Sequence, residues 1–148
     1  MDDSQFHIRD AKLEDIPHIS ALSGELGYTS NNVQTRKRLE SLLKSKENAV
    51  YVALDSKSTI IGWVHVFCTH RVESNSFGEI GGLIVSEQHR KQGAGKKLIH
   101  AAQNWLKQTG IKKLRVRSNI ERENAQLFYS KLGFEIIKTQ TVLDKILI

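Results

Sequence analysis

The stretch that decides the fold is Glu79-Ile80-Gly81-Gly82-Leu83-Ile84-Val85, which runs straight into Ser86-Glu87-Gln88-His89-Arg90-Lys91-Gln92-Gly93-Ala94-Gly95-Lys96-Lys97-Leu98. Its first part is an apolar, β-branched run bounded by glycine, which is strand character. Its second part is a basic loop that opens an amphipathic helix, with Leu98, Ile99, Ala102, Trp105 and Leu106 on one face and Gly110 as C-cap. Small residues at Gly93, Ala94 and Gly95 let bare backbone N–H groups converge at the positive end of that helix, which favours an anion. Arg90, Lys91, Lys96 and Lys97 add charge for more than one phosphate.

Outward from this centre the chain reads as alternating short elements. Phe6–Arg9 alternates as a first strand, and a helix capped by Asp10 follows, with Ile16, Ile19, Leu22 and Leu26 at helical spacing. A second helix is expected over Val33–Leu43, then a hairpin of Ala49–Leu54 and Ile60–Cys68 around Asp55-Ser56-Lys57-Ser58. After the central helix come a strand at Leu114–Arg117, a helix over Glu121–Leu132 capped by Asn119, and two closing strands at Phe134–Ile137 and Thr141–Ile148. The expected fold is α/β: a mixed, mostly antiparallel sheet of about seven strands and about four helices, with a right-handed parallel crossover at the phosphate loop.

The bulk properties bound the rest. A chain of 148 residues builds one buried core and is short for two ordinary domains, so a single domain over 1–148 is expected. No apolar run is long enough to span a membrane, the start is acidic where a secretory signal is positive, and the one cysteine, Cys68, suits a reducing cytoplasm. The net charge of +6 concentrates around His89–Lys97 and Lys107–Arg117, without aromatic interleaving or a recognition helix, so a charged cofactor accounts for it as well as nucleic acid does. No His/Cys pair has a metal-ligand spacing, and no metal, nucleic-acid or membrane partner is expected.

Two glycine-loop families fail on residue identity. A P-loop needs glycine where Arg90 stands and Ser or Thr where Lys97 stands. A dinucleotide fingerprint needs a small residue at Leu98 and a turn tight against the strand. The spacing Arg90-x-x-Gly93-x-Gly95 after a strand instead resembles the acyl-CoA-binding motif of the GNAT N-acetyltransferase superfamily. A second match, Asn124-Ala125-x-x-Phe128-Tyr129-x-Lys131-Leu132-Gly133-Phe134, is similar to that family's asparagine–tyrosine helix followed by Gly-Phe. The two motifs stand in the family's order, separated by one helix and one strand.

The resemblance implies an acetyl-CoA-dependent transfer of an acetyl group to a primary amine, by direct attack in a ternary complex. The amides of Gln92, Gly93, Ala94, Gly95 and Lys96, with Arg90 and Lys91 beside them, are implied to hold the CoA pyrophosphate. Leu83 and Val85 are implied to offer backbone groups to the pantetheine arm, and the Leu83 amide to polarise the thioester carbonyl. Asn124 is implied to bond the arm, and Tyr129 to protonate the departing thiolate. Gly81-Gly82 reads either as a bulge that opens room for the arm or as plain close packing.

An alkyl ammonium titrates near about 10.4, so the acceptor needs a base. Glu79 matches family members with a glutamate base on this strand; a salt bridge or an edge position is the plain reading. His65 is a minor further candidate. Arg115 and Arg117 face either the acceptor cleft or, by default, solvent.

In the family the acceptor pocket is formed by the segments that here are Leu26–Asn32 and His70–Phe77, whose polar residues suit a small hydrophilic amine. An aminoglycoside wants clustered carboxylates, and only Glu25, Glu73 and Glu79 are available. A protein amine as acceptor and a non-catalytic acyl-CoA sensor are the alternatives. Family members often form a homodimer through their last strands, and Val142, Leu143, Ile146, Leu147 and Ile148 suit that or ordinary core packing.

Overall fold

The computed structural model describes residues 5–25, 27 and 31–148. Leu26, Tyr28 and Thr29, which the sequence assigns to the first helix and the acceptor loop, lie outside the described residues, as do residues 1–4. The chain divides into two units, Met1–Val116 and Arg117–Ile148.

The first unit is a five-stranded sheet in the order β1-β2-β3-β4-β5, with β1 His7–Asp10, β2 Asn48–Leu54, β3 Ile60–Thr69, β4 Phe77–Val85 and β5 Leu114–Val116. The first three junctions are antiparallel and β4–β5 is parallel, joined through helix α3 (Ala94–Gln108) as the crossover. Strand alternation splits the apolar residues between two faces. Val50, Val52, Ile60 and Ile84 pack beneath helices α1 (Ile16–Glu25) and α2 (Asn32–Lys44), against Ile16, Ile19, Leu22 and Leu39. Ala53, Ile61, Val64 and Val66 pack on the other face against Ala94, Leu98, Ala102 and Leu106 of α3. Leu98, Ile99 and Ala102 are fully buried, which is why the amphipathic pattern after Gly95 is so regular; each large apolar side chain of this kind contributes about 1.5–3 kcal/mol.

The N-terminal cap differs from expectation. A short 3-10 turn at Leu13–Asp15 precedes α1, and the buried Asp15, not Asp10, organises it. Its carboxylate accepts bonds from the Arg9 guanidinium (2.8 Å to each oxygen) and the Lys12 amide (2.8 Å). Burial pushes its acidity the other way, but the Arg9 and Lys12 bonds outweigh that and hold the carboxyl below its ordinary value.

The second unit contains helix α4, Glu123–Lys131, with Asn119 Oδ1 accepting from the Glu121 amide just ahead of it and Gly133 at φ 93° after it. The four expected helices are present. The two closing strands are not: among the described residues the sheet has five strands, and residues 134–148 have no strand structure. Their β-branched residues carry strand propensity, but a strand exists only where a neighbour supplies a ladder. Here Ile136, Val142, Leu143, Ile146 and Leu147 are each more than four-fifths exposed (82, 81, 86, 84 and 87 %).

Candidate active site

Strand β4 changes partners along its length. From Gly78 to Ile80 it pairs with both β3 and β5, its register on β5 being Gly78↔Leu114, Glu79↔Arg115 and Ile80↔Val116. At Gly81 the register on β3 shifts: His65 opposes Gly82 and Val66 opposes Ile80, so Gly81 is the extra residue of a β-bulge. Beyond it β4 pairs with β3 alone among the described residues.

The bulge and the close packing that the sequence offers as alternatives are both present. A Cβ on Gly81 would lie 2.4 Å from His65 Nδ1, and one on Gly82 would lie 2.8 Å from the Trp63 ring.

Ladder parity settles which backbone groups of the second half face away from β3. The Ser86 amide donates to the Ile61 carbonyl (2.8 Å), so with a two-residue period Ile84 also turns toward β3 while Leu83 and Val85 turn away. The Val85 carbonyl accepts from Arg90 Nε (3.1 Å), consistent with that parity. The groups assigned to Leu83 and Val85 therefore point away from β3, on the side where β5 has already ended at Val116.

The loop that follows is a short 3-10 turn, Glu87–His89, and then the start of α3. Lys91 and Gly93 both have positive φ (63° and 97°). Glycine takes this shape freely; lysine takes it only when the surroundings impose it. Side chains tie the loop down: Ser86 Oγ bonds His89 Nδ1 (2.9 Å), Gln5 Nε2 donates to Gln92 Oε1 (2.9 Å), and Lys97 Nζ donates to the Phe6 carbonyl (3.1 Å). The amides of Ala94, Gly95 and Lys96 belong to the first turn of α3, which has no carbonyl of its own helix to reach, and no side chain caps it. Arg90 spends its Nε on the strand it follows and remains exposed with Lys91 and Lys96.

Glu79 sits half-buried two residues before the bulge. A Cβ on Gly78 would strike Leu106 of α3, so Glu79 projects from the opposite face. His65 and Phe67 share that face, because Val64 and Val66 between them pack on α3; their rings stack at 5.4 Å. His65 Nε2 bonds Asn48 Oδ1 (2.8 Å), and Asn48 Nδ2 donates to Ser45 Oγ (3.0 Å). With the amide so oriented, Oδ1 must accept, and the imidazole proton is fixed on Nε2. Nδ1 is then the basic nitrogen, turned toward Gly81. Burial lowers the pKa of His65, which keeps it neutral.

Arg115 departs from its default reading: it is half-buried over Phe77 rather than spread into solvent. His70 is engaged elsewhere, between Ser76 Oγ (2.6 Å) and Glu47 Oε1 (2.8 Å), in a cleft of about 670 Å³ that also takes in Cys68 and the end of α3. Cys68 faces α3, so that cleft lies off the face that carries Glu79.

Of the residues assigned from the sequence, Glu79, Leu83, Val85 and Arg90–Lys96 are brought together on one strand–loop–helix unit. Asn124 and Tyr129 lie in the second unit on α4. Asn124 is exposed, and Tyr129 makes edge contacts with Phe128 (5.1 Å) and Phe134 (5.4 Å). Burial raises the pKa of the Tyr129 phenol, partly opposed by Arg122.

A profile described as acetyltransferase (GNAT) domain matches residues 46–136, more than half of the chain. The chain belongs to the GNAT acetyltransferase family. It is an acyltransferase of the N-acetyltransferase type. Among relatives of known designation, an aminoglycoside N(6')-acetyltransferase type 1 of Stenotrophomonas maltophilia is 28% identical over 103 residues, 67% of each chain. The GNAT fold of this chain is shared by AAC(6')-Iy, solved with the bisubstrate analogue CoA-S-monomethyl-acetylneamine, at TM-score 0.86 and 21% identity, covering 96% of this chain and 99% of that one. Glucosamine-6-phosphate N-acetyltransferase of Arabidopsis thaliana shares it at TM-score 0.82 and 20% identity, covering 94% and 97%.

Proposed function

We propose that residues 1–148 form one acetyl-CoA-dependent N-acetyltransferase domain that moves an acetyl group to the primary amine of a small molecule. The observation that carries this reading is the half-paired β4: a strand whose outward backbone groups at Leu83 and Val85 face a splay, leading into a basic loop at a helix N-terminus. An extended pantetheine arm pairs there as an added strand. Its pyrophosphate meets the first amides of α3, from Gln92 to Lys96, with Arg90 and Lys91 supplying charge.

The roles in the chemistry are those that the family resemblance implies. The Leu83 amide meets the thioester oxygen, on which negative charge grows during attack. The amine must arrive neutral, and Glu79 takes its proton from the same face of the sheet, with neutral His65 as a second acceptor through Nδ1. The free amine attacks the carbonyl carbon, the carbon–sulfur bond breaks, and CoA leaves as thiolate. For Tyr129, held protonated by burial, the resemblance implies return of a proton to sulfur, and for Asn124 a bond to the arm. The aminoglycoside and amino-sugar designations of the relatives support a small-molecule acceptor.

Incubation with acetyl-CoA and a panel of amines should release free thiol. Calorimetric binding of CoA without thiol release from any amine or peptide would make the protein a binding module instead, and no CoA binding at all would remove the reading entirely.

A further inference from the structure

Phe77 is one of the most buried side chains of the protein, at 1% exposure, yet it belongs to none of the three apolar clusters. Its ring is covered by cations. The Arg115 guanidinium carbon lies 4.2 Å from the ring centroid, Lys113 Nζ 4.9 Å and the Arg71 guanidinium carbon 5.4 Å. One cation on an aromatic face is a common and favourable contact. Three on one ring repel one another, and the exposed Glu73 at 3.8 Å offsets Arg71 in part. An oxyanion among them would be attracted by all three and would relieve the repulsion.

The cluster is also in the right place to read a substrate. Gly78 and Ile80 turn toward α3, so Phe77 and Glu79 project together from the other face. Leu114 packs with the α3 side, so Lys113 and Arg115 turn the same way as Glu79, and Arg115 is the register partner of Glu79 on β5. Phe77 and Glu79 are two residues apart on one strand, roughly 7 Å. This face therefore carries a carboxylate at Glu79 and, over Phe77 one strand repeat away, a group of cations, a layout that matches a molecule with an amine at one end and an acid at the other.

We propose that the acceptor carries a carboxylate or phosphate about one strand repeat from its reacting amine, and that Arg71, Lys113 and Arg115 hold that group. The inference rests on the acetyltransferase reading above and narrows its substrate class. It sets this chain apart from enzymes that take polycationic acceptors, since a third or fourth ammonium brought to the Phe77 cluster is repelled.

The test uses the full chain at saturating acetyl-CoA with aminohexanoate, aminohexyl phosphate, hexylamine and a polycationic aminoglycoside. The acid-bearing amines should show KM values about tenfold or more below that of hexylamine, the factor expected of hydrogen bonds to a charged group. The double variant Lys113→Gln/Arg115→Gln should erase that preference while leaving KM for acetyl-CoA unchanged, and Lys113→Arg should retain it. Equal or better use of hexylamine or the aminoglycoside, unmoved by the double variant, overturns the proposal while leaving the acetyltransferase standing. Should no amine release thiol, the acetyltransferase reading fails, and the anion site is judged by inorganic phosphate in the presence of saturating CoA. A phosphate-induced rise in melting temperature lost in the double variant supports the site, and no rise, or a rise equal in both proteins, overturns it.

Discussion

The two halves of β4 do different chemistry with the same backbone. From Gly78 to Ile80 the strand is paired on both sides, its backbone is engaged by the sheet, and what this end of the strand presents is side chains: Phe77 under its cations, then Glu79. From Gly82 to Val85 it is paired on one side, and what faces outward at Leu83 and Val85 is the main chain itself. One inserted residue, Gly81, separates a region that presents side chains from a region that presents backbone groups. On the proposed reading, a single bulge is what sets the acceptor subsite beside the cofactor subsite.

The severest way to break that division is to fill the bulge. Gly81→Val places a branched side chain where His65 Nδ1 lies 2.4 Å from the first carbon, with the Asn48 bond holding the ring. A loss of about 1–3 kcal/mol in urea unfolding is expected, with CoA affinity reduced at least as far when measured by calorimetry. Unchanged CoA affinity in a folded variant would mean that the splay is not the cofactor's seat.

A subtler cut falls on the side-chain half alone. Glu79→Gln should lower kcat by about 10²–10⁴ while leaving the CoA dissociation constant within twofold, since positioned general bases are worth that much. In the second unit, Tyr129→Phe should cost less, about tenfold in kcat, because a thiolate departs without help more readily than an alkoxide; a stopped-flow burst of bound thiolate would locate the loss in the protonation step.

His65 offers a pH readout of the boundary itself. Its folded pKa lies below the unfolded one because burial disfavours the imidazolium. Between those two values the unfolded chain holds more protons, so stability should rise with pH and be complete above about pH 6.5, the unperturbed imidazole value. Chemical denaturation from pH 5 to 8 should show this slope, and His65→Gln should flatten it. The smallest effect belongs to the tail. Leu147→Ser, at a residue 87% exposed, should shift stability by no more than about 0.5 kcal/mol. A larger loss, dependent on protein concentration, would place this segment in an interface with a second copy.

Much of the fold was legible because the signals were local. The strand–loop–helix from Phe77 to Gln108 combines a β-branched run, a small-residue turn and an apolar stripe, and each element lies within two residues of its expected bounds. What could not be read depended on partners far along the chain. Asp15 replaces Asp10 at the first helix because Arg9 and Lys12 converge on it. The strand propensity of Val142–Ile148 finds no neighbour in the described sheet. In the site, the glycines and cations around Gly93 were readable from composition alone. The tautomer of His65 and the turn of Arg115 onto Phe77 were not, because both depend on which face of the sheet each strand presents.

The half-paired strand has a consequence for the lifetime of the protein. If coenzyme occupies the splay, part of the sheet's cohesion is lent by a metabolite, and the amides of Leu83 and Val85 should exchange slowly with deuterium only while it is bound. Cells starved of acyl donors would then hold a looser form of this polypeptide, more open to proteases, so that its abundance tracks nutrient supply without any dedicated regulator.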